Sequence, residues 1–398
     1  MSLSDTTAPA RILVVDDVEA NRDLLARRLL RQGHLVEMAE NGQEAVDKVQ
    51  QGAWDLVLLD VMMPVLDGVG ALTAIKASEL TRDIPVIMIS ANTEMETIVK
   101  CIELGADDYL PKPFDPVLLR ARVGASLEKK RLRDREKARA RRMEKDLEVG
   151  ARIQRDFLPE ALPVVPGYEF AARFEPAREV GGDFYDAFRL SDGAVAIVLG
   201  DVCDKGVGAA LFMALFRSLI RAVSGSQLGG PGSDATAALE ARVLHAVTVT
   251  NDYIANTHGR TNMFATMFVG ALDPATGIVA YVNGGHEPPR VLAANGVIRA
   301  MLPPTGPAVG MLPEIPFTTG HVTLAPGETL VVLTDGVTES RAPAGALFGD
   351  DATDVLLAMP ASSADALLDR VLDAVHVHAD GGAAADDVTM VAVRRSLG

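Results

Sequence analysis

The chain has 398 residues and a formal net charge of −16; 48% of its residues are hydrophobic and 23% are charged. This balance is typical of a globular protein of two or three domains, the negative charge argues against nucleic acid binding, and no uninterrupted apolar stretch approaches the roughly 20 residues of a membrane span. The two cysteines, Cys101 and Cys203, fall in different predicted domains, so we expect no disulfide or zinc framework and a cytoplasmic protein.

The first third of the chain alternates short apolar runs with helical patterns. Residues 1–10 are a polar lead-in without the apolar core of a secretory signal, and we expect a flexible tail there. Residues 11–126 form the first predicted domain, with strand-like runs at 12–15, 56–59, 86–89 and around Tyr109. Uninterrupted apolar runs indicate buried parallel strands, and their alternation with helices predicts an α/β doubly wound, flavodoxin-like sheet.

Polar side chains follow these strands. The ligand site of a doubly wound sheet lies beyond the carboxyl ends of its strands. The residues at those ends are Asp16, Asp17, Asp60, Ser90 and Lys112. A carboxylate among carboxylates becomes a usable nucleophile towards a phosphoryl donor only if a cation screens the charge. Mg²⁺ on Asp17 and Asp60 would supply that screening.

The strings VVDD, LLDVMMPVLDG, ISA and KPF resemble the receiver domain of two-component response regulators. The resemblance implies that Asp60 takes a phosphoryl group, with a sensor histidine kinase or phosphotransfer protein as the partner. It implies a Mg²⁺ site made by Asp16, Asp17, Asp60 and the backbone carbonyl of Met62. The switch residues that it implies are Ser90, Tyr109 and Lys112.

Residues 127–158 are the predicted linker. Apolar residues at helical spacing stand on both sides of a run rich in Lys and Arg, residues 129–145: Leu119, Val123 and Leu127 before it, and Met143, Leu147 and Ala151 within and after it. These fragments predict a helix from the last turn of the receiver to about Phe157. A coiled coil is left open because the middle is polar. Receivers of the resembling family commonly pair, so we expect a homodimer.

Residues 159–398 form the last predicted domain. Its strand-like segments are 194–199, 264–272, 278–282, 330–333 and 388–393, and its helical patterns are 207–222, 235–257 and 362–378. Strand clusters with helices grouped between them predict an α+β sandwich.

Four separated acidic residues accompany these strands, in GGDFYD, GDVCDKGVGAAL, LTDGVTE and ADDVTMVAV. They are Asp183, Asp201, Asp335 and Asp386. An Asp beside Gly is usually a turn residue, but four in this order suggest one shared site. Like charges about 4 Å apart repel by roughly 4 kcal/mol at an effective dielectric near 20. A pair of Mg²⁺ or Mn²⁺ ions would remove that repulsion, clamp a phosphoryl group and activate a water. The pattern therefore predicts metal-dependent dephosphorylation.

In this order the motifs resemble the metal-dependent serine/threonine phosphatases of the stage II sporulation E type, over roughly residues 147–396. The resemblance implies two metals bridged by Asp201, with Asp386 preferred over Asp387 as a ligand. The full ligand set that it implies is Asp183, Asp201, the backbone carbonyl of Val202, Asp335 and Asp386. It also implies direct attack by a metal-bound hydroxide, and a phosphorylated anti-sigma-factor antagonist as the usual substrate.

Two other interpretations stay open. GGDFYD is similar to the Gly-Gly-acid loop of diguanylate cyclases, although there a second acid follows the first, whereas here Phe184 follows Asp183. A catalytically silent binding scaffold is the other alternative, although a scaffold would normally have lost one of the acids. The favoured prediction is a response regulator in which phosphorylation of Asp60 controls the phosphatase through the helix.

Overall fold

A computed structural model of the chain describes residues 9–91, 95–226, 234–382 and 384–397, with Met95 described by its backbone alone. The chain divides into two units, residues 1–143 and 144–398. Most of the predicted flexible tail, residues 1–8 of 1–10, lies outside the described residues.

The first unit is a five-stranded parallel sheet with helices in the connections between its strands. Its elements are β1 (Arg11–Val15), α1 (Glu19–Arg31), β2 (Leu35–Ala39), α2 (Gly42–Gln51), β3 (Leu56–Asp60), α3 (Gly68–Ala77), β4 (Val86–Ser90), α4 (Met95–Glu103) and β5 (Asp108–Pro111). The strand order is β2-β1-β3-β4-β5, which confirms the predicted doubly wound fold. Every residue of β3 and β4 is buried, because helices cover both faces of the sheet.

One long helix follows, α5 (Pro116–Phe157), and it confirms the predicted helix to about Phe157. Leu119, Val123 and Leu127 in its first turns are buried in the core of the first unit. The following basic run is tied to acids of the same unit: Lys130 lies 3.8 Å from Asp55, Lys129 3.5 Å from Asp107, and Lys137 pairs with Asp83. Every residue from 134 to 146 is exposed.

The second unit contains two five-stranded antiparallel sheets. Its elements are β6 (Tyr168–Glu175), β7 (Phe184–Arg189), β8 (Val195–Val202), α6 (Val207–Ser224), α7 (Ala235–His258), β9 (Ala265–Leu272), β10 (Ile278–Gly284), β11 (Arg290–Leu292), β12 (Ile298–Met301), β13 (Gly320–Thr323), β14 (Thr329–Leu333), α8 (Asp335–Thr338), α9 (Gly349–Leu357), α10 (Ala364–Ala379) and β15 (Val388–Arg395). The strand orders are β13-β10-β9-β8-β7 and β12-β11-β14-β15-β6.

Three apolar clusters hold these sheets and helices together in layers. Side chains such as Ile197 of β8 and Val332 of β14 meet between the two sheets. Helices α6 and α7 cover the outer face of the first sheet, and α9 and α10 cover that of the second. The unit is therefore a helix-sheet-sheet-helix sandwich, which confirms the predicted α+β sandwich.

Helix α6 is, by length and composition, apolar enough to cross a membrane, with a mean hydropathy of 1.6. In this unit one face of the helix packs on the first sheet of the sandwich instead. Ala209, Met213, Phe216 and Ile220 are fully buried and share a cluster with Val198 of β8. These four positions recur every three or four residues, which places them on the helix face that packs on the sheet.

Candidate functional sites

Three carboxylates meet at the carboxyl end of the parallel sheet. Asp16 and Asp17 directly follow β1, and Asp60 is the last residue of β3. One ligand atom from each lies within 4.8 Å of the other two, with Asp16 and Asp60 buried and Asp17 exposed. These oxygens fit Mg²⁺, which prefers carboxylate and carbonyl ligands and keeps several waters.

Lys112 lies just beyond β5 and reaches the same carboxylates. Its Nζ lies 2.7 Å from Asp16 Oδ2 and 3.0 Å from Asp60 Oδ2. Burial raises the pKa of Asp60, although the hydrogen bond from Lys112 opposes that rise. Burial also works against the charge of Lys112, but the hydrogen bonds to Asp16 and Asp60 raise its pKa overall. The ammonium group therefore stays charged beside Asp60.

The remaining residues of the predicted receiver site surround this centre. Ser90 ends β4 and is buried, and the Tyr109 hydroxyl on β5 donates to the Ser90 carbonyl at 3.3 Å. Met62 follows Asp60 by two residues and its side chain is 73% exposed. The sequence interpretation missed Asn21, whose Nδ2 donates to both Asp16 oxygens at 3.0 and 3.2 Å. Its place in the first turn of α1, just after the acidic pair, was the available signal.

The second unit brings its four predicted acids to one end of the sandwich. Asp183 immediately precedes β7, and Asp201 lies in β8; these two strands belong to the first sheet. Asp335 follows β14 and Asp386 precedes β15, which are strands of the second sheet. Among the residues that the structure describes, these four do not form a group as tight as the trio around Asp16. A site for two ions stays a prediction for these four acids.

Burial and mutual repulsion raise the pKa values of these acids. Burial, and then the charge of Asp335, raises the pKa of Asp201 to about 7. Burial and the charge of Asp201 raise the pKa of Asp183 well above its ordinary value. Burial and the charge of Asp386 raise the pKa of Asp335. Raised pKa values of this kind are expected when carboxylates that bind cations lie close together and no cation offsets their charge.

Two threonines orient the most buried of these acids. Asp183 Oδ2 accepts hydrogen bonds from Thr334 Oγ1 at 2.8 Å and from Thr389 Oγ1 at 2.5 Å. Thr334 directly precedes Asp335, and Thr389 lies three residues after Asp386. The second sheet therefore supplies two acids and also fixes the orientation of an acid that precedes the first sheet.

Asp387 has a different environment from its neighbour Asp386. Its Oδ1 accepts from the backbone N–H of Ala177 at 2.7 Å, and its Oδ2 accepts from the backbone N–H of Gly182 at 2.7 Å and of Asp183 at 3.3 Å. Both oxygens are thus occupied in holding the loop before β7, and Asp386 stays the predicted ligand of the pair. Asp386 Oδ2 instead lies 2.8 Å from Nζ of Lys205.

The backbone around Gly182 leaves room at the Val202 carbonyl. A Cβ atom on Gly182 would lie 2.7 Å from Val202 O and 3.6 Å from Asp201 Oδ1. Only glycine avoids the first of these contacts without a shift. Carboxylate oxygens and the Val202 carbonyl would make an all-oxygen donor set, which fits Mg²⁺ or Mn²⁺.

His286 lies in the same unit but has no place among the acids. It is buried, its Nδ1 lies 3.0 Å from Thr266 Oγ1, and burial lowers its pKa to about 4. A neutral core histidine is what a lone His beside Pro-Pro suggests.

The two units match two known families. Residues 12–124 match the response regulator receiver domain, and residues 191–396 match the family described as stage II sporulation protein E (SpoIIE). The SpoIIE match alone covers more than half of the chain.

Individual relatives agree with this division. Protein IcfG of Synechocystis is 45% identical over 264 residues, covering 63% of this chain and 42% of IcfG. Response regulator MprA of Mycolicibacterium vanbaalenii is 43% identical over 119 residues, covering 30% of this chain and 51% of MprA. The chain thus spans about half or less of the length of these relatives.

A solved structure is similar to this chain in fold. The SiaA-PP2C domain of Pseudomonas aeruginosa is 20% identical with a TM-score of 0.51, covering 65% of this chain and 98% of that domain. The chain therefore belongs to the SpoIIE family, with a response regulator receiver domain ahead of its phosphatase-type domain.

Proposed function

We propose that this chain is a response regulator whose second unit hydrolyses phosphoserine or phosphothreonine in a protein, under the control of phosphorylation at Asp60. The observation that carries the proposal is the convergence of Asp183, Asp201, Asp335 and Asp386 from both sheets, with the pKa of Asp201 raised to about 7. Buried acids with strongly raised pKa values mark candidate functional sites, and membership of the SpoIIE family supports a phosphatase reaction.

Asp183, Asp201, the Val202 carbonyl, Asp335 and Asp386 would hold two Mg²⁺ or Mn²⁺ ions. When bound, such ions neutralise phosphoryl oxygens and lower the pKa of a coordinated water. The protein itself positions the carboxylates that would bind these ions. Thr334 and Thr389 fix the orientation of Asp183, and Asp387 holds the backbone that precedes it. Lys205, beside Asp386, is a cation placed to attract a phosphoryl group.

In the receiver, Asp60 would accept the phosphoryl group from a sensor histidine kinase or a phosphotransfer protein. The carboxylate oxygen attacks phosphorus, and the donor atom leaves with its electron pair. Mg²⁺ would be held by Asp16, Asp17, Asp60 and the Met62 carbonyl. Lys112 is already 3.0 Å from Asp60 and can pair with the acyl phosphate, while the Ser90 hydroxyl can donate to a phosphate oxygen.

The proposed substrate is a phosphorylated anti-sigma-factor antagonist, the usual target of the phosphatases that this chain resembles. The proposed setting is a cytoplasmic homodimer that acts on protein and not on nucleic acid. The net charge of −16 supports the last point, because binding a phosphate backbone needs a basic face.

Phosphate release from candidate phosphorylated antagonists tests this function, with Mn²⁺ present and with or without acetyl phosphate. We expect Mn²⁺-dependent release that EDTA stops reversibly and that acetyl phosphate changes, with activation preferred over inhibition. Asp201→Ala should abolish release while circular dichroism shows an intact fold, because Asp201 would contact both ions. A folded Asp201→Ala variant with full activity, or turnover without metal, would contradict the two-ion site.

The alternatives make different predictions in the same assay. The diguanylate cyclase interpretation of GGDFYD loses its basis, because the acid precedes a strand of a SpoIIE-type sandwich and the other three acids join it. A folded protein that binds Mn²⁺ but releases no phosphate from any phosphoprotein would favour the binding scaffold.

A further inference from the structure

A buried amide in the last turns of α5 contacts the loop that leads to Asp183. Gln154 is 6% exposed, whereas its neighbour Ile153 is 53% exposed, so the polar side chain is the one turned inwards. Its Nε2 donates to the Gly181 carbonyl at 2.6 Å, and its Oε1 accepts from the Gly181 N–H at 3.1 Å. One side chain thus satisfies both backbone groups of a single residue that lies 27 positions away.

The same loop is held from its other side by Asp387. That carboxylate accepts from the N–H groups of Ala177 and Gly182, both at 2.7 Å. A Cβ atom on Gly181 would lie 2.2 Å from Asp387 Oδ2, so the backbone runs tightly past this carboxylate. Gln154 and Asp387 therefore hold residues 181 and 182 between them, and Asp183 is the next residue.

We propose that Gln154 is a positioning residue for the metal site: it holds the loop from Gly181 to Asp183 in the conformation that binds a cation. This inference rests on the proposed function, since it concerns the ions of the same site. Removal of the Gln154 amide would leave the buried N–H and C=O groups of Gly181 without these hydrogen bonds. The loop would then move to find other partners for them. Asp183 would then leave its place relative to Asp201.

The location of Gln154 on α5 would allow the receiver to influence metal binding at Asp183. It lies on α5, the same continuous helix that begins at Pro116 with its first turns buried in the receiver core. A rotation of this helix by about 100°, the angle of a single residue, would turn the amide away from Gly181. The strength of cation binding at Asp183 would then depend on the position of α5.

The test is Gln154→Met, which keeps the length of the side chain but removes both hydrogen bonds. Mn²⁺ binding is measured by electron paramagnetic resonance on the full chain in an Asp17→Asn background, so that the receiver ion does not contribute. We expect binding at the second unit to weaken about tenfold or more, the usual size of an effect on metal affinity from outside the ligand set. Phosphate release should need correspondingly more Mn²⁺, with the rate at saturating Mn²⁺ largely retained.

Arg152→Met is the matched control, because Arg152 is an exposed residue of the same helix turn. It should bind Mn²⁺ like the Asp17→Asn reference. If Gln154→Met does not fold, Gln154→Glu decides, since its carboxylate can accept from the Gly181 N–H but cannot donate to the carbonyl; it should also weaken binding. A folded variant, either Met or Glu, with unchanged Mn²⁺ affinity would overturn the inference. Because binding is read without turnover, a protein that releases no phosphate would refute the proposed function and leave this result interpretable.

Discussion

At the scale of single residues, the two sites handle crowded carboxylates in different ways. In the receiver, Lys112 lies between Asp16 and Asp60 and supplies a fixed positive charge. In the second unit, Lys205 pairs with Asp386, while the pKa values of Asp183, Asp201 and Asp335 are raised by burial and by one another. The three receiver carboxylates are therefore partly offset by a fixed ammonium group, whereas burial and mutual repulsion leave Asp183, Asp201 and Asp335 with raised pKa values.

This difference predicts a pH dependence of stability in metal-free protein. Asp201 has a folded-state pKa of about 7 against an ordinary value of 3.8, so between these values the folded state holds a proton that the unfolded state has lost. The stabilisation is fully present below about pH 4 and is lost as the pH rises through 7, by an amount on the order of a few kcal/mol. Urea unfolding of the second unit in EDTA should thus show lower stability at pH 8 than at pH 5.

Two comparisons isolate the cause of that pH dependence. Asp201→Asn removes one of the titrating groups and should reduce the change between pH 5 and pH 8, while Asp183 and Asp335, whose pKa values burial also raises, keep part of it. Excess Mn²⁺ should also abolish the loss at pH 8, because a cation replaces the proton. Equal pH dependence in the wild type and in Asp201→Asn would show that other groups cause it.

A second prediction at this scale concerns Asp60. Its buried carboxylate lies 3.0 Å from the Lys112 ammonium, so a phosphoryl group arriving there would find a counter-charge in place. Acetyl phosphate with Mg²⁺ should label Asp60, the adduct should be cleaved by hydroxylamine as acyl phosphates are, and Asp60→Asn should take up no label. Stable label, or label on another residue with Asp60 unmodified, would reject this assignment.

At the scale of elements, most of the strands that sequence reasoning predicts are well buried, with the half-buried β5 as an exception, and two longer strands, β6 and β7, were missed. β3 and β4 are buried at every position, and their apolar runs are unbroken. β2 escapes this criterion because it is an edge strand: Leu35 is 60% exposed and its run LVEMA is interrupted by Glu37. β11, β12 and β13 are three or four residues long, too short for a period to be recognised.

The site shows the same division between what is local in sequence and what is not. Each predicted acid stands beside the strand that places it, so its motif is visible in a few residues. The groups that orient those acids are remote: Thr389 reaches Asp183 across 206 positions, and Gln154 reaches Gly181 across 27. A buried glutamine among charged neighbours gives no local signal, since the fold alone determines that it is turned inwards.

At the scale of the whole molecule, the two sites lie on separate units, and phosphate on Asp60 can affect the second only through an element that differs between two states. Helix α5 is the continuous element that belongs to both units. Residues 134–146 are exposed, and Met143 is 62% exposed. The apolar residues of this segment are Ala138, Ala140 and Met143, and pairing of two such helices would cover Met143. We expect a dimer, formed or strengthened on phosphorylation, in sedimentation measurements.

The last prediction tests whether α5 transmits the signal. Lys137, which pairs with Asp83, is the last residue of the basic run held by an acid of the first unit, so Ala138 begins the part of the helix beyond those contacts. Inserting two residues there rotates the second half of the helix by about 200° relative to the first. Inserting seven residues rotates it by about 700°, which is about 20° short of two full turns and so nearly restores the original orientation. The two-residue insertion should make phosphate release insensitive to acetyl phosphate, while Mn²⁺-dependent hydrolysis of a small phosphate ester continues. The seven-residue insertion should keep the response, because it nearly restores the rotation of the receiver half of the helix relative to the half that carries Gln154. If both insertions respond like the wild type, α5 is a passive tether and the receiver acts on the second unit by direct contact.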